Sequence, residues 1–376
     1  MESGFSHGVL AKGRAKADIK PMERNRELDV IKAIAIVLVV VGHVVQRAMP
    51  SNAAYVASDF ANVVTTLTMP VFFFVSGIAM SYRKPLDAPM FAYDLVKRLF
   101  RYLWPTLMFL YFRTWFYQQF TDVGQAWDLF FQYPTYGLWF LWVLLFSNIA
   151  LDLGLYFASF FRINRKIFGF CGVLIPYVVI VCLRENGIIE NDHVFGYDMF
   201  LLYVPIILTG YLAAPLFTMK GKWPLLDVGL VAAGMALCIT LSLLMPRYYK
   251  SQMRDILWWV YGAAVGAVLA YKGIASLICR LRIGKGIAFL GGFTLETYYL
   301  HLIVIKNWPS IRGANDFLTV LASIGMVLFL LANTAAFIAV LYWIPFGNFV
   351  FFGRSYSHYG FEKRFFADIK PAKAEQ

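Results

Sequence analysis

The fold is decided by residues 26–43, which read RELDVIKAIAIVLVVVGH. This stretch begins with charged residues and continues as an almost unbroken apolar run that holds one lysine, Lys32, and one histidine, His43. The run predicts a membrane-spanning helix, because a hydrocarbon core about 30 Å thick needs about 20 mainly apolar residues to cross it. At about 100° per residue, Lys32 and His43 lie on one face of that helix, with Asp29 about 40° away.

The same geometry predicts the depth of His43. At a rise of about 1.5 Å per residue, His43 lies about 16 Å deeper than Lys32 and past the midplane of the membrane. An ionisable side chain at that depth is energetically costly and faces a protein interior or a water-filled cavity. Two interpretations stay open: a group that takes part in chemistry, or a buried polar residue that joins two helices.

The composition is that of a membrane protein. Of the 376 residues, 60% are apolar and only 15% are charged, whereas a soluble domain carries about a quarter charged residues. The net charge of +12 comes from basic residues that cluster between apolar runs, as the positive-inside rule predicts, so we expect no nucleic-acid partner. The four cysteines have no CxxC spacing and give no case for a metal site or a disulfide framework.

Ten apolar runs predict an all-α, polytopic transmembrane helical bundle of about ten spans. Membrane lipids are therefore expected partners along its whole surface. The last four runs could also be divided differently. The predicted spans cover residues 29–48, 62–82, 102–120, 136–159, 167–183, 199–218, 224–245, 255–271, 287–305 and 317–344.

Both termini are predicted to face the cytosol. Ten spans return them to the same side, and the loops on that side carry most of the Lys and Arg residues, as expected of a cytosolic face. The acidic loop 184–198 is then external. We expect one transmembrane domain at 26–345, a basic, disordered tail at 1–25 and a second cytosolic tail at 346–376.

Two arginines precede the third span. Arg98 and Arg101 are three residues apart on a helix, so their side chains are expected to point the same way. They are either anchors at the lipid headgroups or a pair that binds phosphate oxygens, as guanidinium groups do. Taken alone, the spacing favours the anchors.

Two ionisable residues lie inside the ninth span. Glu296 and His301 are about 14 and 21 Å from its cytosolic start, on faces about 140° apart. A carboxylate at that depth needs a partner, and His43, at a comparable depth, is the natural candidate. Asp29 is too far from His43 for this role and is expected to pair with Lys32 or with the two arginines.

Five motifs occur along the chain in a fixed order: LDVIK at 28–32 with His43, MPVFFFVSG at 69–77, Arg98-x-x-Arg101 before Trp104-Pro105, LWFL at 138–141 and LETYYLH at 295–301. Taken together, they resemble the membrane-bound acyltransferase-3 family. In particular they are similar to the branch that O-acetylates sugars of bacterial surface polysaccharides. One departure concerns Lys32, where many members carry Arg; a lysine keeps the charge but loses the bidentate geometry.

The resemblance implies an O-acetyltransferase, multi-pass in the bacterial cytoplasmic (inner) membrane. It would move acetyl from cytosolic acetyl-CoA to a sugar hydroxyl of a surface polysaccharide or of a lipid-linked oligosaccharide precursor. His43 would act either as general base on the hydroxyl or as carrier of the acetyl group. Binding of the acetyl-CoA donor is assigned to Asp29, Lys32, Ser76, Arg98 and Arg101.

We go beyond the resemblance for Glu296. If it pairs with His43, it stabilises the imidazolium that forms when the histidine takes a proton. His301, at a similar depth on the same helix, is the alternative partner for that role. The predicted catalytic residues are therefore His43, Glu296 and His301.

The main alternative is a transporter or flippase for a lipid-linked saccharide, since intramembrane His and Glu also suit that class. No inverted repeat is visible between the two halves of the sequence, which disfavours it. A structural scaffold without chemistry leaves the cost of the buried His and Glu residues unexplained.

Overall fold

The computed structural model describes residues 25–84, 86–115, 124–125, 139–189, 197–218, 223–248, 250, 253–306, 316–344 and 347–353. Within these ranges all regular secondary structure is helical. The helices are α1 (Arg26–Ala48), α2 (Asn52–Val56), α3 (Asp59–Ser81), α4 (Ala88–Trp115), α5 (Trp139–Phe161), α6 (Arg165–Glu185), α7 (Tyr197–Thr218), α8 (Pro224–Leu244), α9 (Met253–Arg280), α10 (Gly284–Leu290), a 3-10 turn (Gly291–Phe293), α11 (Thr294–Lys306), α12 (Asp316–Trp343) and α13 (Gly347–Phe352).

Among the described residues, nine helical stretches are long and apolar enough to cross a membrane. They are α1, α3, α5, α6, α7, α8, α9, the α10–α11 segment and α12, and each coincides with a predicted span. The protein is therefore a polytopic helical membrane bundle, as the apolar runs predict. The remaining predicted span, 102–120, begins in the second half of α4 and ends outside the described part of the chain.

The predicted tails are described only at their inner ends. Most of 1–25 and of 346–376 lies outside the described residues, and so do Glu190 and Asp192 of the acidic loop. The second tail begins with α13, which packs against α4.

Helix α1 lies at the centre of the bundle. It contacts α3, α9, α10, α11 and α12, and Val30, Ala35 and Val40 along its length are fully buried. Its first turn is capped by the Asn25 side chain, whose oxygen accepts from the Glu27 backbone N–H at 3.0 Å. The central position of α1 brings Lys32 and His43 against side chains of other helices.

The 3-10 turn presses directly against the start of α1. A Cβ atom at Gly291 would overlap the backbone of Asp29, so only glycine permits this approach. The turn also interrupts the ninth predicted span, and α11 starts afresh at Thr294.

The periphery of the bundle is apolar. Helix α6 buries only Gly169 and Val173 and exposes large side chains such as Ile175 and Val179. A helix that is apolar on its exposed faces suits contact with lipid rather than water.

Candidate active site

Two histidines from distant parts of the chain meet inside the bundle. The ring centroids of His43 on α1 and His301 on α11 lie 5.3 Å apart. His301 is completely buried, whereas His43 is half-buried. The structure thus places next to His43 the residue that the sequence indicated as the alternative partner.

The backbone orients the ring of His301. Its Nδ1 atom lies 2.8 Å from the carbonyl oxygen of Thr297, one turn earlier on α11. A carbonyl oxygen only accepts hydrogen bonds, so Nδ1 carries the hydrogen and Nε2 has the lone pair. This Nε2 atom is buried and has no hydrogen-bond partner among the described residues.

The ring of His43 contacts a side-chain amide. Its Nδ1 atom lies 3.1 Å from Oε1 of Gln46, and Nε2 of Gln46 donates to Oδ1 of Asn52 at 2.6 Å. The apolar pattern indicated neither residue, because polar side chains at the end of a membrane helix are ordinary. The i, i+3 spacing of His43 and Gln46 is the signal that connects them.

Glu296 is completely buried and forms its ion pair with Arg101, at 3.1 Å between Oε1 and Nη1. The sequence predicted His43 in that place. The 3-10 turn precedes α11, so Glu296 lies in the first turn of that helix. Arg101 also donates to the carbonyl oxygen of Phe352, at 3.2 Å.

Arg98 meets a different set of partners. Its guanidinium donates to Asp152 of α5, with 3.1 Å between Nη2 and Oδ1, and Arg83 donates to the same Oδ1 atom at 2.9 Å. Burial, and after it the charge of Arg98, lower the pKa of Arg83, while Asp152 raises it. The sequence predicted that Arg98 and Arg101 point the same way, whereas their side chains contact different carboxylates, Asp152 and Glu296.

A cavity of about 160 Å³ lies between α1, α3, α4, α5 and α11. Three of the five predicted donor-binding residues line it: Lys32, Ser76 and Arg101. Asp29 does not line it and pairs with Lys32 at 2.7 Å, which is one of the two pairings that the sequence predicts. The remaining lining is mainly apolar and aromatic: Ile36, Met69, Phe72, Tyr102, Phe140, Leu144, Thr294, Leu295 and Tyr298.

Tyr298 connects the cavity to the histidines. It lines the cavity, and its ring centroid lies 5.9 Å from that of His301. The side chains of Lys32 and Arg101 are 30% and 27% exposed, so both cations can reach an anion that enters. The arrangement combines an anion-attracting entrance, apolar walls and two imidazoles beyond one tyrosine.

Comparison with known proteins identifies the family. The model of one family, described as an acyltransferase domain, matches residues 25–351. This range includes the two histidines, the cavity, and Asp152 with the arginines that it binds. No match is found among curated proteins or among solved structures. The chain therefore belongs to the acyltransferase-3 family and is an integral membrane acyltransferase.

Proposed function

We propose that the protein is an O-acetyltransferase of the bacterial cytoplasmic membrane. It transfers acetyl from cytosolic acetyl-CoA to a sugar hydroxyl of a surface polysaccharide or of its lipid-linked precursor. The observation that carries the proposal is the cavity lined by Lys32 and Arg101, which Tyr298 connects to the two histidines.

The cavity suits the acyl end of such a donor. Lys32 and Arg101 attract the phosphates of the nucleotide to the entrance of the cavity, where Arg101 can bind them with two parallel hydrogen bonds. A volume of about 160 Å³ is below the size of pockets that enclose a drug-sized ligand, so it holds the end of the donor arm and leaves the nucleotide outside. Phe72 and Phe140 provide apolar walls for that arm.

Two carboxylates hold the cations of the cavity in place. Asp29 holds Lys32, and Glu296 holds Arg101, so each cation has a carboxylate that fixes its position. Arg98 adds positive charge on the same helix as Arg101, while its own hydrogen bonds go to Asp152.

The chemistry assigned to His43 is general-base catalysis. The acceptor O–H bond breaks as its proton moves to the imidazole, and the oxygen attacks the thioester carbon. The C–S bond then breaks, and the leaving thiolate takes the proton back from the imidazolium. An acetyl-histidine intermediate is the alternative, and it would accumulate when acetyl-CoA is supplied without acceptor.

Purified protein in lipid nanodiscs, given radiolabelled acetyl-CoA and an oligosaccharide acceptor, tests the proposal. We expect label in an alkali-labile ester on the acceptor, lost in His43→Ala and retained in Arg282→Ala, a matched change at an exposed basic residue. Failure to label any carbohydrate, together with movement of a lipid-linked saccharide across the bilayer, would favour the transporter instead.

A further inference from the structure

A chain of two amide side chains leads from His43 to the surface. Gln46 lies on the last turn of α1 and is half-buried, and Asn52, the first residue of α2, is exposed. Neither residue lines the cavity. Gln46 contacts His43 from outside the proposed donor site, and Asn52 contacts Gln46, so their role is separate from donor binding.

The direction of the hydrogen bonds follows from the chemistry of the amide. Nε2 of Gln46 donates to Oδ1 of Asn52 at 2.6 Å, so the oxygen of the same amide faces His43. An amide oxygen only accepts, and the 3.1 Å contact therefore has Nδ1 of His43 as the donor. With the hydrogen on Nδ1, the lone pair of the neutral ring is on Nε2.

We propose that Gln46, held in place by Asn52, is a positioning residue that keeps His43 in the Nδ1-protonated form with Nε2 as its proton acceptor. The inference rests on the proposed function of His43 as a base. It assigns the reactive nitrogen, and it gives Gln46 a second effect: its oxygen accepts from the imidazolium once the proton is taken, and such charge-assisted hydrogen bonds are the stronger ones.

His301 is a natural contrast within the same site. Its ring is oriented by the carbonyl of Thr297, which no side-chain substitution removes. The ring of His43 is oriented by a side chain, which can be exchanged. Changes at Gln46 therefore alter one histidine of the pair and leave the hydrogen bond of the other in place.

Three substitutions separate the roles of the amide oxygen and nitrogen. Gln46→Glu keeps an acceptor for Nδ1, Gln46→Met keeps the length without an acceptor, and Gln46→Lys places a donor there. We expect Gln46→Met and Gln46→Lys to lower kcat about 10- to 100-fold, a part of what general-base catalysis contributes. The KM for acetyl-CoA stays near its wild-type value, and Gln46→Glu keeps most of the turnover.

Two further variants distinguish a specific loss of activity from a loss of folding. Asn52 is exposed, so Asn52→Ala is expected to fold and to lower kcat several-fold by releasing Gln46. Asn186→Ala is the matched control, an exposed amide at the end of α6 whose side chain bonds only within its own turn, to Cys182. We expect its kinetics to equal those of the wild type.

A measurement without turnover tests the same point independently of the proposed reaction. In ¹⁵N-histidine-labelled protein, the resonances of His43, assigned by their loss in His43→Ala, should show the hydrogen on Nδ1, and Gln46→Met should remove that preference. A hydrogen on Nε2 in the wild type would overturn the inference even if acetyl transfer is demonstrated. A Gln46→Met variant with normal kcat and a raised KM for the acceptor would also overturn it.

Discussion

Arg98 and Arg101 lie one helical turn apart on α4, yet they meet different partners: Asp152 on α5 and Glu296 on α11. Only Arg101 lines the cavity. We therefore expect Arg101→Ala to raise the KM for acetyl-CoA about 10-fold or more, since a hydrogen bond to a charged group is worth about 1.5–3 kcal/mol. Arg98→Ala should change this KM little and lower the melting temperature, because Asp152 is buried and loses one of its cations.

Titration of the donor at saturating acceptor, with thermal unfolding in detergent, measures both effects. Arg282→Ala is the control for a lost exposed arginine. A rise in KM of equal size for Arg98→Ala would mean that both arginines bind donor, as their spacing alone suggested.

The partner of Glu296 is testable by additivity. Glu296→Gln and Arg101→Ala should be coupled by about 1–3 kcal/mol in transition-state stabilisation, because the two side chains form one ion pair. The same double-mutant cycle with His43→Met in place of Arg101→Ala measures whether Glu296 also acts with His43. The measurement is kcat/KM for the single and double variants, with residual activity resolved by a long labelling time. Coupling to His43 instead would restore the pairing that the sequence predicted.

The candidate site residues could be predicted from the sequence, but the partner of each residue mostly could not. The depth of His43, Glu296 and His301 in apolar runs marked them as costly and therefore candidates for function. The pairing of Glu296 with Arg101 could not be predicted, because the sequence does not show that α4 and α11 pack against each other. Gln46 was missed because an amide near a membrane surface carries no cost that requires an explanation.

At the scale of elements, the short helix α13 supports the donor site. Its last carbonyl, at Phe352, accepts from Arg101, Val350 accepts from Nε1 of Trp104 at 2.5 Å, and Phe349 stacks on Phe100 at 5.6 Å. A cation at the carboxyl end of a helix is favourable. The helix thus gives Arg101 a second hydrogen-bond acceptor besides Glu296.

Gly353 ends α13 in a conformation that only glycine adopts easily. Its φ is +57°, and a Cβ atom there would overlap the carbonyl of Phe100. We expect Gly353→Ala to move α13 away from α4, to raise the KM for acetyl-CoA several-fold and to lower the melting temperature. Gly229→Ala is the matched control, because its Cβ would meet nothing within 4 Å. An unchanged KM for acetyl-CoA in Gly353→Ala would show that α13 does not influence donor binding.

At the scale of the whole molecule, the number of crossings decides where the termini lie. The nine candidate helices alone would leave the termini on opposite sides of the membrane, and α4 as a tenth crossing brings them to the same side. We predict that both termini are cytosolic, because basic residues dominate the loops on that side.

Fusions to reporter proteins test this topology directly. A fluorescent reporter that folds only in the cytosol should be active both before Met1 and after Gln376, and alkaline phosphatase inserted at the exposed turn of Gly187 should be active outside. An active phosphatase after Gln376 would contradict ten crossings.

The bundle itself was predictable because the membrane imposes it. Each of the nine candidate helices coincides with an apolar run, since backbone groups in lipid must be satisfied within a helix. The order in which helices pack was not predictable, because lipid-facing and protein-facing residues are equally apolar. Helices α6 and α8 show this: both are strongly apolar, and both are mostly exposed.

The meeting of His43 and His301 also has a consequence for the newly made protein. His43 leaves the ribosome with the first helix, and at about 5–20 residues per second its partner follows roughly 10 to 50 s later. During that interval the cavity lacks the wall that α11 provides through Leu295 and Tyr298. The half-synthesised chain therefore has neither a complete cavity nor its histidine pair until insertion is nearly finished.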